Sequence, residues 1–119
     1  MSMTAAELVA QAKLRIREIS PADFHGDKTA ALLIDVREPA EFAAGHLQGA
    51  VNIPRGVLEF QIDAHPAARR DAKIVLYCRT GGRAALAADS LQQLGFTDVH
   101  SISGGFEGWT WAKLPTVLP

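Results

Sequence analysis

Cysteine is almost missing from this chain: Cys78 is the single one in 119 residues. One thiol excludes an internal disulfide framework and fits a reducing compartment. Excess charge of one sign is missing too. Twelve Lys and Arg stand against thirteen Asp and Glu, for a formal net charge of −1. No run of like charge marks nucleic acid or an anionic membrane surface as a partner, so any anion site must be local. No apolar stretch approaches the length of a membrane-spanning helix. Residues 1–12 have no basic n-region and carry Glu7 among alanines, so no secretion signal is expected and the cytoplasm is the default location. His25, His65 and His100 share no metal-ligand spacing with one another or with Cys78. Neither a metal nor a cofactor is therefore expected. Repeats, low-complexity tracts and internal linkers are absent as well.

What is present is an ordinary globular composition, 48% hydrophobic and 21% charged, long enough for one domain with a real core. Thr4-Ala5-Ala6-Glu7 reads as a capping box opening a helix. Its apolar stripe is either Leu8, Ala12 and Ile16 or Leu8, Val9 and Ala12. A first strand is expected within 14–19, with Ile16 and Ile19 inward. Ser20-Pro21 starts a short helix to about Phe24. Residues 31–36 form a continuous apolar run ending in charge, the mark of a strand covered on both faces. Pro39 opens a helix over 40–44 that Gly45 stops; 50–53 is a short strand closed by Pro54; 57–63 reads as helical. A second continuous apolar strand covers 73–77. Ala84, Ala87, Leu91 and Leu94 then recur at helical spacing. Gly95 fits a left-handed C-cap, with Phe96 folding back on Leu91. A last strand over 98–102 precedes Gly104-Gly105 and a short helix carrying Trp109 as a core anchor, with Trp111 partly exposed. Strands alternating with helices predict an α/β domain around a mostly parallel sheet of about five strands. The chain divides into an N-terminal helical extension (1–15), the main domain (16–112) and an irregular tail (113–119). The extension either caps the sheet or mediates a homodimer; the sequence carries no other signal for an oligomeric state.

The chemistry concentrates at Cys78-Arg79-Thr80-Gly81-Gly82-Arg83, between the strand over 73–77 and the following helix. Such a turn aims backbone N–H groups and the positive end of a helix dipole at one spot. A thiol there is favoured as the nucleophilic thiolate. Gly81 and Gly82 permit left-handed dihedrals and close backbone approach. Ligands of a parallel sheet bind at the carboxyl ends of its strands, which brings Asp35-Val36-Arg37 to the same rim. Arg83 either contacts an anionic substrate or ties the loop to a carboxylate. Arg79 is expected to pair with Asp35 and brace the loop, with Asp35 and Arg37 as supports. His46 is expected to hold its turn by hydrogen bonds, and Arg55 to be a solvated surface residue.

Asp35-Val36-Arg37-Glu38, Glu41-Phe42, Gly45-His46-Leu47-Gln48-Gly49-Ala50 and Asn52-Ile53-Pro54 together resemble the first signature of the rhodanese family. The cysteine turn resembles that family's active-site loop, and Ile102-Ser103-Gly104-Gly105 with Trp109 its closing signature. The resemblance runs from about Ile16 to Trp111. It implies a three-layer α/β/α domain and a thiosulfate sulfurtransferase. A small anionic donor such as thiosulfate would leave a persulfide on Cys78; cyanide, a thiol or a protein acceptor would then remove the sulfur. The loop residues Arg79 to Arg83 would bind the donor. With no second cysteine, the acceptor must come from outside. Cys-x5-Arg phosphatases, and the phosphatases and arsenate reductases that share the rhodanese fold, have a longer loop. Here four residues separate Cys78 from Arg83, a turn expected to cradle a single sulfur atom better than a whole phosphate, with phosphatase or arsenate reductase chemistry as the lesser alternative.

Overall fold

The continuous apolar runs become the centre of a parallel sheet. In the computed structural model, which describes residues 2–27 and 31–119, β1 (Arg17–Ile19), β2 (Leu32–Asp35), β3 (Val51–Asn52), β4 (Lys73–Tyr77) and β5 (Asp98–Ile102) pair in the order β1-β5-β4-β2-β3. Every pairing is parallel, not merely most of them. β2 and β4 hold the middle, and their residues are almost all buried, as strands covered on both faces must be.

Alternation along the strands divides the core into two layers. Ile34, Ile74, Leu76, Cys78 and Val99 face one side, where they meet α5 (Gly82–Gln93) and α4 (Leu58–Gln61). Leu33, Val75, Tyr77 and Ile102 face the other, against Phe24 of α2 (Pro21–Gly26) and Trp109 of α6 (Gly105–Trp111). Ile16 joins the first layer and Ile19 the second, so the two turn inward on opposite faces. The short α3 (Pro39–Ala43) follows β2.

Several local signals act as their chemistry dictates. Thr4 and Glu7 cap α1 (Ala5–Lys13) reciprocally. At the end of α5 the Phe96 N–H donates to the Leu91 carbonyl and the Gly95 N–H to Gln92, with Gly95 at φ +99°, which is the Schellman pattern. In the stripe of α1, Ala12 is fully buried and Val9 half-buried, as the second alternative has them, but Leu8, expected inward in both, is exposed. Helix α1 packs across α5, and there only a small side chain fits; Arg15 just beyond it forks onto Asp89 of α5 at 2.8 and 3.0 Å. The expected helix over 57–63 is broken into a 3₁₀ turn (Arg55–Val57), one turn of α4 and a second 3₁₀ turn (Ile62–Ala64). Leu58 and Ile62 are buried by that path, so packing sets it ahead of helix propensity. Residues beyond Lys113 form no helix or strand, yet they are tied down: His46 and Val117 exchange backbone hydrogen bonds at 3.0 and 2.7 Å, and the Trp109 indole donates to the Pro115 carbonyl. Among the described residues no helix is long and apolar enough to cross a membrane.

Candidate active site

Strand parity fixes where the thiol goes. Asp35 stands opposite Tyr77 in the β2–β4 register, so the rim after β2 and the rim after β4 are adjacent. Tyr77 points into the α6 layer, where its hydroxyl accepts the Leu47 N–H at 3.1 Å. Cys78 therefore points to the α5 side, and it is 1% exposed. The chain then turns within Arg79, Thr80 and Gly81 into α5. Gly81 sits at φ +125°, a conformation that a side chain resists, and its N–H donates to Cys78 Sγ at 3.1 Å. Gly82 is different from expectation. It carries no positive φ and serves as the first residue of α5, so one glycine makes the turn and the other begins the helix. The N–H groups of Gly82, Arg83 and Ala84 have no hydrogen-bond partner among the described residues. Those orphan donors lie at the N-terminus of α5, the positive end of its dipole, directly after the turn that holds the sulfur.

The loop is held from behind by α6. The Phe106 N–H donates to the Cys78 carbonyl at 2.8 Å and the Glu107 N–H to the Arg79 carbonyl at 3.0 Å. Gly105 makes this approach possible, because a Cβ there would lie 2.4 Å from the Cys78 oxygen and 2.7 Å from the Arg79 oxygen. With both carbonyls committed to α6, the donors of the loop are left for the other side.

Each arginine of the region is paired with a carboxylate. Arg37 forks onto Asp35 with contacts of 2.8 to 3.1 Å, donates to the Gly45 carbonyl at 2.6 Å and stacks over Phe106 at 4.3 Å. Both side chains are buried, at 5% and 0% exposure. The expected Arg79–Asp35 pair is thus replaced. Asp35 is already saturated by its neighbour two residues on, and Arg79, pointing outward, meets Glu107 at 2.8 Å. Arg83 forks onto Glu41 of α3 at 2.7 and 3.0 Å. This guanidinium, helped by the Glu38 N–H, holds the Glu41 carboxyl down at about 2. Of the two roles open to Arg83, the structure shows the tie to a carboxylate. Thr80 is exposed at the tip of the loop. An open cleft of about 420 Å³ lies between α3 and α6, walled by Arg37, Glu41, Arg79 and Phe106.

This arrangement can be compared with known proteins. A family model described as the rhodanese-like domain matches residues 21–112. The chain belongs to the rhodanese-like domain family. It is 36% identical over 94 residues to YqhL, an uncharacterized Bacillus subtilis protein, covering 79% of this chain and 72% of that protein. It is 34% identical to a sulfurtransferase of Allochromatium vinosum, covering 78% and 84%. It is 39% identical to the thiosulfate sulfurtransferase GlpE of Pseudomonas aeruginosa, covering 66% and 69%. Among solved structures, a Rhodopseudomonas palustris protein described as of unknown function and a possible tyrosine phosphatase superposes with a TM-score of 0.83, at 32% identity over 97% of this chain and 95% of that one.

Within this rhodanese-like domain, sequence reasoning missed the two carboxylates that anchor the loop. Glu41 lies in the first turn of α3 and Glu107 in the first turn of α6, both beside the rim that carries Cys78. A carboxylate placed at a helix N-terminus next to an arginine loop was the available signal. Asn52 was passed over as well; its side-chain amide donates to the carbonyls of Asp35 and Arg37 at 3.0 and 2.9 Å and shapes the rim after β2. His46 bonds the Phe42 carbonyl through Nδ1 at 3.0 Å and stacks on the Phe42 ring at 3.8 Å. Arg55 is half-buried and paired with Glu59, not solvated on the surface. Trp109 is buried, and Trp111 is 88% exposed. No metal-holding group of three or more His, Cys, Asp or Glu occurs among the described residues.

Proposed function

We propose that this rhodanese-like domain is a sulfurtransferase that carries sulfane sulfur on Cys78. The observation that carries the reading is a buried Cys78 sulfur that takes the Gly81 N–H at 3.1 Å just before α5, whose first-turn amides are unpartnered among the described residues. In the first half-reaction the Cys78 thiolate attacks the outer sulfur of thiosulfate. The new S–S bond forms as the donor's own S–S bond breaks, and the electron pair leaves with sulfite. The product persulfide is again a monoanion, and its terminal sulfur meets donors that need no reorganisation. In the second half-reaction an acceptor, cyanide or a thiol, takes that sulfur and returns the thiolate. The two half-steps imply ping-pong kinetics.

Two features favour a sulfur atom over an oxyanion. Only four residues separate Cys78 from Arg83, and Arg83 is engaged by Glu41 instead of facing the thiol's ligand. A phosphatase of this general plan needs that arginine on the phosphate.

The test is an intact-protein mass spectrum after brief incubation with thiosulfate, followed by cyanide or a thiol. We expect gain of one sulfur atom, its loss on adding acceptor, and no gain in Cys78→Ser. A sulfur that forms but leaves only for a protein acceptor would make the domain a dedicated persulfide carrier. No sulfur gain, together with hydrolysis of a generic phosphate ester, would overturn the assignment.

A further inference from the structure

Three of the cations at the loop are electrically spent: Arg37 on Asp35, Arg79 on Glu107 and Arg83 on Glu41. A fourth, Lys13, is not. It is the last residue of α1, outside the residues that the family model matches. Its Nζ lies 3.9 Å from the point where a Cβ on Gly81 would stand, and the Gly104 N–H nitrogen is equally close to that point. Lys13 makes no ion pair or hydrogen bond among the described residues.

The fold places the backbone of Lys13 beside the loop. Val9, one helical turn before Lys13, lies 3.7 Å from where a Cβ on Gly82 would be, so one face of α1 covers both loop glycines. Ala12 is fully buried under that face. Arg15 forks onto Asp89, and the Gln92 side-chain amide donates to the Arg15 carbonyl at 2.9 Å, locking the end of α1 to α5.

We propose that Lys13 is a specificity-determining residue for anionic sulfur donors, supplying the uncompensated positive charge beside the active-site loop. The inference rests on the sulfurtransferase reading given above. A donor such as thiosulfate brings two negative charges to a site whose arginines are already neutralised. Backbone donors can bind its transferred sulfur, and Lys13 draws the remaining charge toward the loop. As a residue acting on binding, Lys13 should govern KM and leave kcat nearly alone.

The experiment is steady-state sulfur transfer from thiosulfate to cyanide for the wild-type protein, Lys13→Gln and Lys13→Arg, at low and at high ionic strength, with thermal melts in parallel. For Lys13→Gln we expect KM for thiosulfate to rise about fivefold or more at low salt, with kcat little changed. Lys13→Arg should restore most of the affinity, and the difference between the variants should shrink in high salt. An unchanged KM in Lys13→Gln, while the wild-type protein transfers sulfur, overturns the role of Lys13 and leaves the sulfurtransferase reading standing. A KM rise that Lys13→Arg fails to rescue, or that tracks a lowered melting temperature, assigns Lys13 to helix packing and also overturns it. No transfer by the wild-type protein refutes the reading beneath it.

Discussion

Replacing Gly105 by alanine should damage this domain more than any other glycine change near the site. At φ +57° the residue is left-handed, which costs an L-residue about 1–2 kcal/mol. Its new methyl would also stand 2.4 Å from the Cys78 oxygen, where carbon and oxygen normally keep about 3.3 Å or more. The contact is with backbone, so no side chain can rotate away. Relief requires the start of α6 to back off by nearly an ångström, stretching the Phe106 and Glu107 hydrogen bonds, each worth about 1 kcal/mol. Alanine recovers about 0.4–1 kcal/mol by restricting the unfolded chain. The net expectation is a loss of about 2–4 kcal/mol, within the stability of a typical domain. Urea unfolding followed by the fluorescence of buried Trp109 measures it. Two controls give the result its meaning. Gly104→Ala meets Gly108 Cα at 3.3 Å and shares a positive φ of +73°, so it should cost about 1–2 kcal/mol. Gly56→Ala meets nothing within 4 Å and should change stability by less than about 0.5 kcal/mol. Because Gly105 also sets the loop carbonyls, sulfur transfer should fall by up to about a hundredfold in Gly105→Ala. A Gly105→Ala protein no less stable than Gly104→Ala would refute the argument from close approach.

Other consequences follow from the pairs. The Arg83 guanidinium holds the folded Glu41 carboxyl at about 2 against 4.5 when free, so its contribution is fully present above pH 4.5 and is lost as pH falls through about 2. With the pair about a third exposed, solvent screening leaves about 1 kcal/mol; Glu41→Gln should be less stable than wild type by this amount at pH 7 and equal to it near pH 2 in denaturant titrations. Arg37→Met strands the buried Asp35 carboxylate and should cost about 3–5 kcal/mol, while Arg37→Met with Asp35→Asn should cost clearly less; additive losses in that double-mutant cycle would deny the coupling. Ser101 Oγ is buried without a hydrogen-bond partner among the described residues, so Ser101→Ala should leave the melting temperature unchanged or raise it, and a clear drop would reveal a partner.

The fold was legible wherever one signal dominated. β4 and β5 occupy 73–77 and 98–102 as expected: Ile74 to Tyr77 is a continuous apolar run at the centre of the sheet, and 98–102 is bounded by the Gly95 cap on one side and Gly104-Gly105 on the other. The end of α5 was equally plain, since Gly95 and Phe96 specify a Schellman cap by local chemistry alone. Legibility failed where long-range packing decides. Leu8 is a strong hydrophobe expected inward, yet it is 45% exposed, because the face of α1 that meets α5 is the one carrying Ala12 and Val9. Likewise 57–63 has helical propensity, but burying both Leu58 and Ile62 divides it into three short turns.

At the site, residue types were readable and partnerships were not. Two adjacent glycines look equivalent in the sequence. Only the point where α5 begins decides that Gly81 takes the positive φ and Gly82 does not. The sequence points Arg79 to the wrong carboxylate and singles out none for Arg83, because their partners, Glu107 and Glu41, are remote in sequence. Once those pairs are formed, the positive character left beside Cys78 comes from two sources of different kinds. Backbone N–H groups have fixed directions and short reach, so they select a single atom by geometry. The Lys13 ammonium rides on a flexible stem and selects by charge. A site built this way separates what it transfers from what it recognises. On the proposed mechanism the amides would hold a sulfur whatever donor brought it, and the lysine would favour donors that arrive as anions. Uncharged sulfane donors should therefore feel the loss of the loop geometry in Gly105→Ala as strongly as thiosulfate does, and be indifferent to Lys13→Gln.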